Sequence, residues 1–248
     1  MLKKIFFLIT LTMLSISCNN SDTKNEAGIK TEDESIENTT DASKLEYKDN
    51  VLYSKKTKQK FTGIVSKKYP SGKKLSKQHY KDGLMYGVAT IWYENGIKKI
   101  QGRVKDNKKE GKWIIWHQDG RVAIETNFLN GERHGKNINY FRPNTFLRIK
   151  GNPKNYSPEK SKIASITNYI KGKEHGLSKY WYDDGSKKSE INYKNGKAHG
   201  SSFHWFANGK KRIVSNFKDG KLHGKFTEWK ENGKVLSEEN YENGLKLE

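Results

Sequence analysis

Residues 193–200 read YKNGKAHG, and the phrase returns as YIKGKEHG at residues 169–176 and as FKDGKLHG at residues 217–224. Each copy starts 24 residues after the one before it. A fixed period of this length is typical of a repeat architecture, in which every unit is one supersecondary element. We therefore interpret the phrase as a structural joint rather than as a catalytic loop, which a protein needs only once.

The glycine that closes the phrase recurs through most of the chain, as Gly63, Gly87, Gly111, Gly135, Gly176, Gly200 and Gly224. Two further glycine positions recur in the same phase, and each has one substitution by asparagine, at Asn107 and Asn144. Asparagine tolerates positive φ better than most residues, so the turn is kept. The one step of 41 residues, from Gly135 to Gly176, predicts a 17-residue insertion at about residues 145–168.

Each unit has the pattern of a β-hairpin. Residues 87–104, GVATIWYENGIKKIQGRV, place two strand-like runs around Asn-Gly, which is a strong hairpin signal. A second turn, YKDGLMYG at residues 80–87, joins one hairpin to the next. We expect an all-β chain that forms an open antiparallel meander of repeated 24-residue hairpins, with roughly 14 strands of ordinary length. A closed barrel is the alternative, and the equal units favour the open array.

Aromatic residues recur in two rows. Five residues after the closing glycine stand Trp92, Trp116, Tyr140, Trp181, Trp205 and Trp229. Eight residues after the glycine of the long turn, in most units, stand Tyr80, Val104, Phe128, Tyr193, Phe217 and Tyr241, and Tyr169 fills this place after the insertion. Because strand side chains alternate between faces, we expect one face to carry a thin aromatic core that stacked units share. The other face is then mostly Lys, Ser, Asn and Glu.

The N-terminus resembles a bacterial lipoprotein signal. MLKK is followed by the uncharged run IFFLITLTMLSI and then by Ser17 and Cys18, the only cysteine. The run is too short to cross a bilayer, which needs about 20 residues. We expect residues 1–17 to be a signal peptide and Cys18 to be lipidated, which would anchor an exported protein in the outer or the cytoplasmic membrane of the cell envelope. A simple secretory signal is the alternative. Residues 18–47 are predicted to form a disordered acidic tether, and residues 48–248 the repeat domain.

The repeat domain is strongly basic. Residues 48–248 hold 43 of the 48 Lys and Arg residues and 20 of the 28 Asp and Glu residues. Only six of the basic residues are Arg, the side chain that reads phosphate and guanine bidentately, and an exported chain seldom meets nucleic acid. We therefore exclude nucleic acid and expect a monomer that binds a protein partner, or else an anionic envelope polymer or lipid.

Histidines are the tempting candidates for metal binding, because His134, His175, His199 and His223 each precede a closing glycine. Equivalent residues of neighbouring hairpins lie about 10 Å apart, since strands are spaced at about 4.7–4.9 Å. Zinc holds its ligands at about 2 Å, so such a row cannot share one ion. The sequence also lacks the nucleophile elbow and the phosphate-binding loop of common enzymes. We predict no metal, no cofactor and no enzymatic activity.

The stretches YKNGKAHGSSFHWFANGKKR (193–212) and FKDGKLHGKFTEWKENGKVL (217–236) resemble the MORN-variant repeat of bacterial YwqK-type proteins, which are labelled as antitoxin components. The resemblance covers about residues 50–248 and implies a β-hairpin repeat sheet without catalytic residues. The sequence thus predicts a non-catalytic, envelope-anchored scaffold for protein interaction. Two alternatives stay open: a binder of anionic lipid or polysaccharide through a lysine-rich face, and an antitoxin-like neutraliser of a partner toxin.

Overall fold

The structure, a computed structural model, describes residues 39–142 and 162–248, and within these ranges it holds strands and one short 3-10 turn, η1 (Ala42–Lys44). The first range contains β1 (Thr39–Asp41), β2 (Leu45–Lys48), β3 (Val51–Ser54), β4 (Gly63–Lys68), β5 (Lys74–Lys81), β6 (Leu84–Met85), β7 (Gly87–Trp92), β8 (Lys98–Lys105), β9 (Lys108–Trp116), β10 (Val122–Leu129), β11 (Glu132–Arg133) and β12 (Gly135–Tyr140). The second contains β13 (Ile163–Ile170), β14 (Lys173–Glu174), β15 (Gly176–Trp181), β16 (Lys187–Lys194), β17 (Lys197–Trp205), β18 (Lys211–Lys218), β19 (Lys221–Leu222), β20 (Gly224–Trp229), β21 (Val235–Glu242) and β22 (Leu245–Lys246). Within the described residues, no helix is long and apolar enough to cross a membrane.

A tight turn joins one hairpin to the next. Between β5 and β6 it consists of Asp82 and Gly83, with φ of 50° and 79°. Positive φ at both central residues defines a type I′ turn, whose twist matches that of the flanking strands. Asp106 and Asn107 fill the same turn with φ of 49° and 64°, so the predicted replacement of glycine by asparagine at residue 107 is confirmed.

A longer loop closes each hairpin at the other end. Between β7 and β8 the N–H of Tyr93 donates to the carbonyl of Ile97 at 2.8 Å, which leaves three loop residues, and only Gly96 has positive φ, at 86°. This is a type I turn followed by a left-handed glycine. The register then slips by one residue, because Ile91 pairs with Ile100 and Trp92 pairs with Lys98. Lys99 is therefore a β-bulge, and the same bulge recurs in the other units.

The strands form one open sheet in chain order. Its fourteen long strands pair antiparallel with their neighbours from β4 to β21, and a two-residue strand follows most of the tight turns. Strand β1 adds to β4 in parallel at the first edge. The predicted open antiparallel meander of 24-residue hairpins is confirmed. Strand β12 pairs directly with β13, with Gly135 opposite Tyr169, so the array continues past the interruption. Because β13 begins at Ile163, the interruption ends earlier than the predicted residue 168.

Backbone hydrogen bonds tie each unit to the one before it. At the tight turns the N–H of Gly220 donates to the carbonyl of Ala198 at 2.8 Å, and that of Gly131 to the carbonyl of Lys109 at 2.9 Å. The same bond crosses the interruption, from Gly172 to Arg133, at 2.9 Å. A short hairpin cannot hold its shape alone, so these nearest-neighbour contacts are what a repeat array depends on.

The N-terminal end differs from the prediction. Residues 39–47, which the sequence predicts to be part of the disordered tether, form β1, η1 and the start of β2. The hairpin of β2 and β3 covers the first unit, and Leu45 and Leu52 pack with Val65 and Tyr80 in a buried cluster. The turn of this hairpin, Asp49–Asn50, has the same residue pair as Asp106–Asn107, and this was the sequence signal that could have revealed it.

The two aromatic rows also differ from the prediction, because they lie on opposite faces of the sheet. Gly111 pairs with Phe128, and the rings of Trp113 and Phe128 are in contact with centroids 6.1 Å apart. Trp116 lies three residues after Trp113 on the same strand and therefore points the other way. We call the side with Trp113 and Phe128 face A, and the side with Trp116 face B. The error arose because spacing within a strand does not reveal how the two strands of a hairpin are paired.

Candidate functional site

The predicted tryptophan ladder lies on face B. Trp181 is buried, with 8% of its surface exposed, and the other five rings are half-buried. Lysines lie over some of the rings: Lys98 Nζ is 5.9 Å from the ring centre of Trp116, and Lys187 Nζ is 5.5 Å from that of Trp205. These contacts are cation–π interactions. Face B is therefore a partly exposed row of aromatic and cationic side chains.

A third aromatic row, which the sequence reasoning missed, links the long loops of neighbouring units. The phenol groups of Tyr69, Tyr93 and Tyr182 donate to the carbonyls of Trp92, Trp116 and Trp205 in the next unit, at 2.7, 2.8 and 2.9 Å. The signal was present in the sequence as an aromatic residue six positions after the closing glycine. These bonds connect neighbouring loops at three places along this edge.

A row of asparagines, also missed, links the two strands that a tight turn joins. The side-chain amides of Asn127, Asn168 and Asn192 donate to the carbonyls of Lys136, Leu177 and Ser201 at 2.9, 3.2 and 3.2 Å. The backbone carbonyls of Asn127 and Asn168 also accept a hydrogen bond from the N–H of the residue that precedes the closing glycine. The pair Asn-Phe or Asn-Tyr, repeated at each of these places, was the available signal.

The residue before the closing glycine accepts a hydrogen bond from the next tight turn. Thr62 Oγ1 accepts from the N–H of Asp82 at 2.9 Å, and Glu110 Oε2 accepts from that of Asn130 at 3.0 Å. His199 Nδ1 lies 3.4 Å from the N–H of Asp219 in the same arrangement. Thr, Glu and His share a side-chain acceptor at this reach, so this position is a tie between turns.

The predicted histidine row is spread along the sheet. His134, His175, His199 and His223 stand at equivalent positions of different hairpins, and Nδ1 of His175 and of His223 is buried without a hydrogen-bond partner. Over residues 39–142 and 162–248, no group of three or more His, Cys, Asp or Glu side chains could hold a metal ion. These four histidines therefore lie at separate turns of the sheet.

The closing glycines have positive φ wherever they were predicted to set the turn. The values are 84° for Gly87, 63° for Gly111, 76° for Gly135, 78° for Gly176, 82° for Gly200 and 87° for Gly224. An L-residue with a side chain is strained at such φ, so glycine is required where the strand resumes after the turn.

Exposed lysines form a ridge along the tight-turn edge in the second half of the sheet. The lysine ridge consists of Lys171, Lys173, Lys194, Lys197, Lys218 and Lys221, two from each of three successive turns, and all six are exposed. Successive pairs lie about 10 Å apart because one unit contributes two strands. Asp219 is exposed among them, and Glu174 is half-buried. The ridge is therefore a positively charged stretch of the tight-turn edge.

Cys18, the tether before residue 39 and the insertion up to residue 161 lie outside the described residues. Asn144, predicted to replace a loop glycine, lies outside them as well.

Comparison with protein families places the repeat in a known type. The family model of the MORN repeat variant matches residues 61–82, 174–195 and 222–243. Each match begins two residues before a closing glycine and spans one hairpin, namely β4–β5, β15–β16 and β20–β21. No curated protein matches the chain. The repeat type is non-catalytic and often serves in binding scaffolds. The chain therefore carries MORN-variant repeats at these three places, in the register of the hairpins that the structure shows.

Proposed function

We propose that this protein is an exported, lipid-anchored protein of the cell envelope whose repeat sheet is a non-catalytic scaffold for binding a partner protein. The observation that carries the proposal is the single open sheet, which presents the two faces and the two turn edges of 24-residue hairpins in repeating order. A repeat sheet of this kind offers an extended binding surface. The lipid anchor rests on the N-terminal sequence and on Cys18 alone.

The layout of the side chains supports a scaffold rather than an enzyme. Chemistry needs several groups converging on one point, whereas the repeat separates equivalent groups by about 10 Å. The polar groups described above are mostly used within the sheet: tyrosine phenols and asparagine amides bind backbone carbonyls of neighbouring strands. Side chains on face B and along both edges remain accessible for a partner that spans several units.

The partner is best identified by site-specific photo-crosslinking in cells. We would place the crosslinker singly at Lys197 on the tight-turn edge, at Asn208 on the long-loop edge and at Phe203 on face B. The scaffold proposal expects one protein to be captured stoichiometrically, from some of these positions and not from others, with a yield that salt does not change. If none of the three positions captures a protein in cells, the proposal is wrong. Neutralisation of a toxin is a special case, which the identity of the captured protein would decide.

The lysine ridge favours a second candidate function, the binding of an anionic lipid or polysaccharide. Binding through exposed lysines weakens as salt screens the charges. We expect that replacing Lys194, Lys197, Lys218 and Lys221 together by Gln reduces binding to anionic vesicles or polymers. The matched control replaces four lysines elsewhere, Lys55, Lys56, Lys60 and Lys73. Equal loss in both variants would contradict a role for the ridge.

The anchor has its own test. We expect that Cys18→Ala removes the lipid label from the protein in cells and releases the protein from the membrane fraction. A variant that is unlipidated and stays in place would contradict the lipoprotein assignment.

A further inference from the structure

Three neighbouring strands bring two cations and an imidazole together on face A, near the long-loop edge. Ser189 on β16 pairs with His204 on β17, which in turn pairs with Ile213 on β18. Lys188 and Arg212 precede Ser189 and Ile213 and are the bulged residues of their strands, because the register shifts at both places. His204 therefore lies between two bulges that each carry a positive charge.

Aromatic rings hold both cations in place. Lys188 Nζ lies 5.4 Å from the ring centre of Tyr182, and the guanidinium carbon of Arg212 lies 5.7 Å from that of Phe206. Across residues 39–142 and 162–248, neither cation forms an ion pair with a carboxylate. Cations that are oriented by rings, and not neutralised by an acid, keep their charge for a ligand.

A small cavity of about 60 Å³ opens between these side chains and is lined by Tyr182, Lys188, His204, Trp205, Arg212 and Ile213. A single water needs about 10–15 Å³, so the cavity has room for a group of several heavy atoms. Its lining contains no carboxylate. The site therefore has the size of a small oxyanion and the charge to bind one.

The imidazole responds to the same surroundings. Burial lowers the pKa of His204, and the nearby charges of Arg212 and Lys188 lower it further. Its Nε2 is within hydrogen-bond distance of Ser202 Oγ, at 3.1 Å. On the strands beyond, the titratable groups of this face are Tyr180, opposite Ser189, and Glu228, opposite Ile213. A bound anion favours the protonated imidazole, so it would raise the pKa of His204 and oppose the effect of the two cations.

The combination occurs in one place among the described units. The bulged residues are Leu75, Lys99, Ala123, Ala164, Lys188, Arg212 and Leu236, so only Lys188 and Arg212 are cations on neighbouring hairpins. Lys99 lies over Tyr93, at 5.4 Å, but the strand beside it carries Ile115 where β17 carries His204. Lys99 is thus a matched control with the same bulge and no imidazole.

We propose that Lys188, His204 and Arg212 form a subsite for one tetrahedral oxyanion group, a phosphoryl or sulfuryl group. The guanidinium of Arg212 supplies paired donors, Lys188 a point charge, and His204 a third donor that gains a proton on binding. The subsite deepens the second candidate function, the binding of an anionic lipid or polysaccharide. It rests on that function only for where the bound group comes from, a polymer or a lipid headgroup.

The test uses the full chain and inorganic sulfate, which does not titrate near neutral pH. NMR titration of the imidazoles should show saturable binding that raises the pKa of His204, and binding that tightens as pH falls through that pKa. Arg212→Gln should weaken sulfate binding about ten-fold or more, which corresponds to the loss of a charge-assisted hydrogen bond. Lys99→Gln should leave it unchanged. The proposal is overturned if sulfate does not shift His204, or if both variants lose the same affinity.

A sulfated polysaccharide and vesicles that contain phosphatidic acid then identify the source. Binding that depends on Arg212 in only one of the two arms supports the site and assigns its source to that arm. If both bind through the lysine ridge and neither depends on Arg212, the subsite is wrong and the second candidate function stands. If the lysine-ridge variants bind vesicles and polymers as well as the unchanged protein does, while sulfate binding still depends on Arg212, the second candidate function is wrong and the subsite stands.

Discussion

At the scale of single residues, the protein uses recurrent polar side chains to join its units. Tyrosine phenols reach the next unit at one edge, and Thr62, Glu110 and His199 accept from the next turn at the other edge. A carbonyl or N–H left without a partner costs more than the net gain of one bond. Each of these hydrogen bonds contributes little to stability, but they recur between units along the array.

The phenol of Tyr182 should stabilise the sheet measurably. We expect Tyr182→Phe to lower the free energy of unfolding by about 0.5–1.5 kcal/mol, because the carbonyl of Trp205 loses its donor and the ring stays in place. Urea unfolding followed by circular dichroism would measure this. Tyr86→Phe, at an exposed tyrosine, is the control and should change little. An equal effect of the two variants would refute the role of the phenol.

The residue before the closing glycine should be replaceable by another acceptor. We expect His199→Ala to destabilise the protein by about 0.5–1.5 kcal/mol, since the N–H of Asp219 loses its acceptor. His199→Glu should retain most of the stability, because Glu110 already does this work in another unit. Thermal unfolding of the three proteins checks the order, and a Glu variant as unstable as the Ala variant would contradict it.

At the scale of elements, turn chemistry is the part of the fold that the sequence predicts well. At the tight turns, Asp-Gly, Asn-Gly and Asp-Asn supply two residues with positive φ, and Asn107 behaves as the pattern requires. Face assignment failed because a three-residue loop and the bulge after it decide which residues of two strands share a face. Those features fix the pairing of Gly111 with Phe128, which no spacing within one strand shows.

Packing on face A also depends on a glycine that leaves space for a large ring on the next strand. Gly102 and Trp113 are neighbours on β8 and β9, and a Cβ at residue 102 would overlap the indole ring. Trp113 is 2% exposed, and its Nε1 donates to the carbonyl of Arg103 at 3.0 Å. The sequence could not show that this glycine makes room for that tryptophan, because it belongs to none of the turn positions.

We expect Gly102→Ala to destabilise the protein by about 1–3 kcal/mol, the usual cost of overpacking a filled site. Near-ultraviolet circular dichroism would report the displaced indole, and urea unfolding the stability. Thr227→Ala, which removes atoms from a buried site of another unit, is a control that should leave the Trp113 signal intact. An unchanged spectrum and stability for Gly102→Ala would contradict the packing described here.

At the scale of the whole molecule, the 24-residue period of the sequence predicts the architecture, but it does not predict the functional surfaces. Equal units of 24 residues predict an open array, and the pairing of β12 with β13 continues it across the interruption. The N-terminal cap was missed because β1 to β3 stand outside the period, although Asp49–Asn50 repeats a turn pair. The subsite at His204 needs three strands in register, so only the structure brings its residues together.

The most direct measurement of the central claim, an array of equal units joined to their neighbours, is the unfolding of a chain that lacks one unit. Removing residues 177–200 joins Gly176 to Ser201 in phase, because Gly176 and Gly200 are equivalent. Removing residues 189–200 deletes half a unit and reverses every later strand. We expect the first deletion to keep the β-sheet circular dichroism per residue and a cooperative unfolding transition, and the second to lose both. A one-unit deletion that fails to fold, as the half-unit deletion is expected to, would contradict the account.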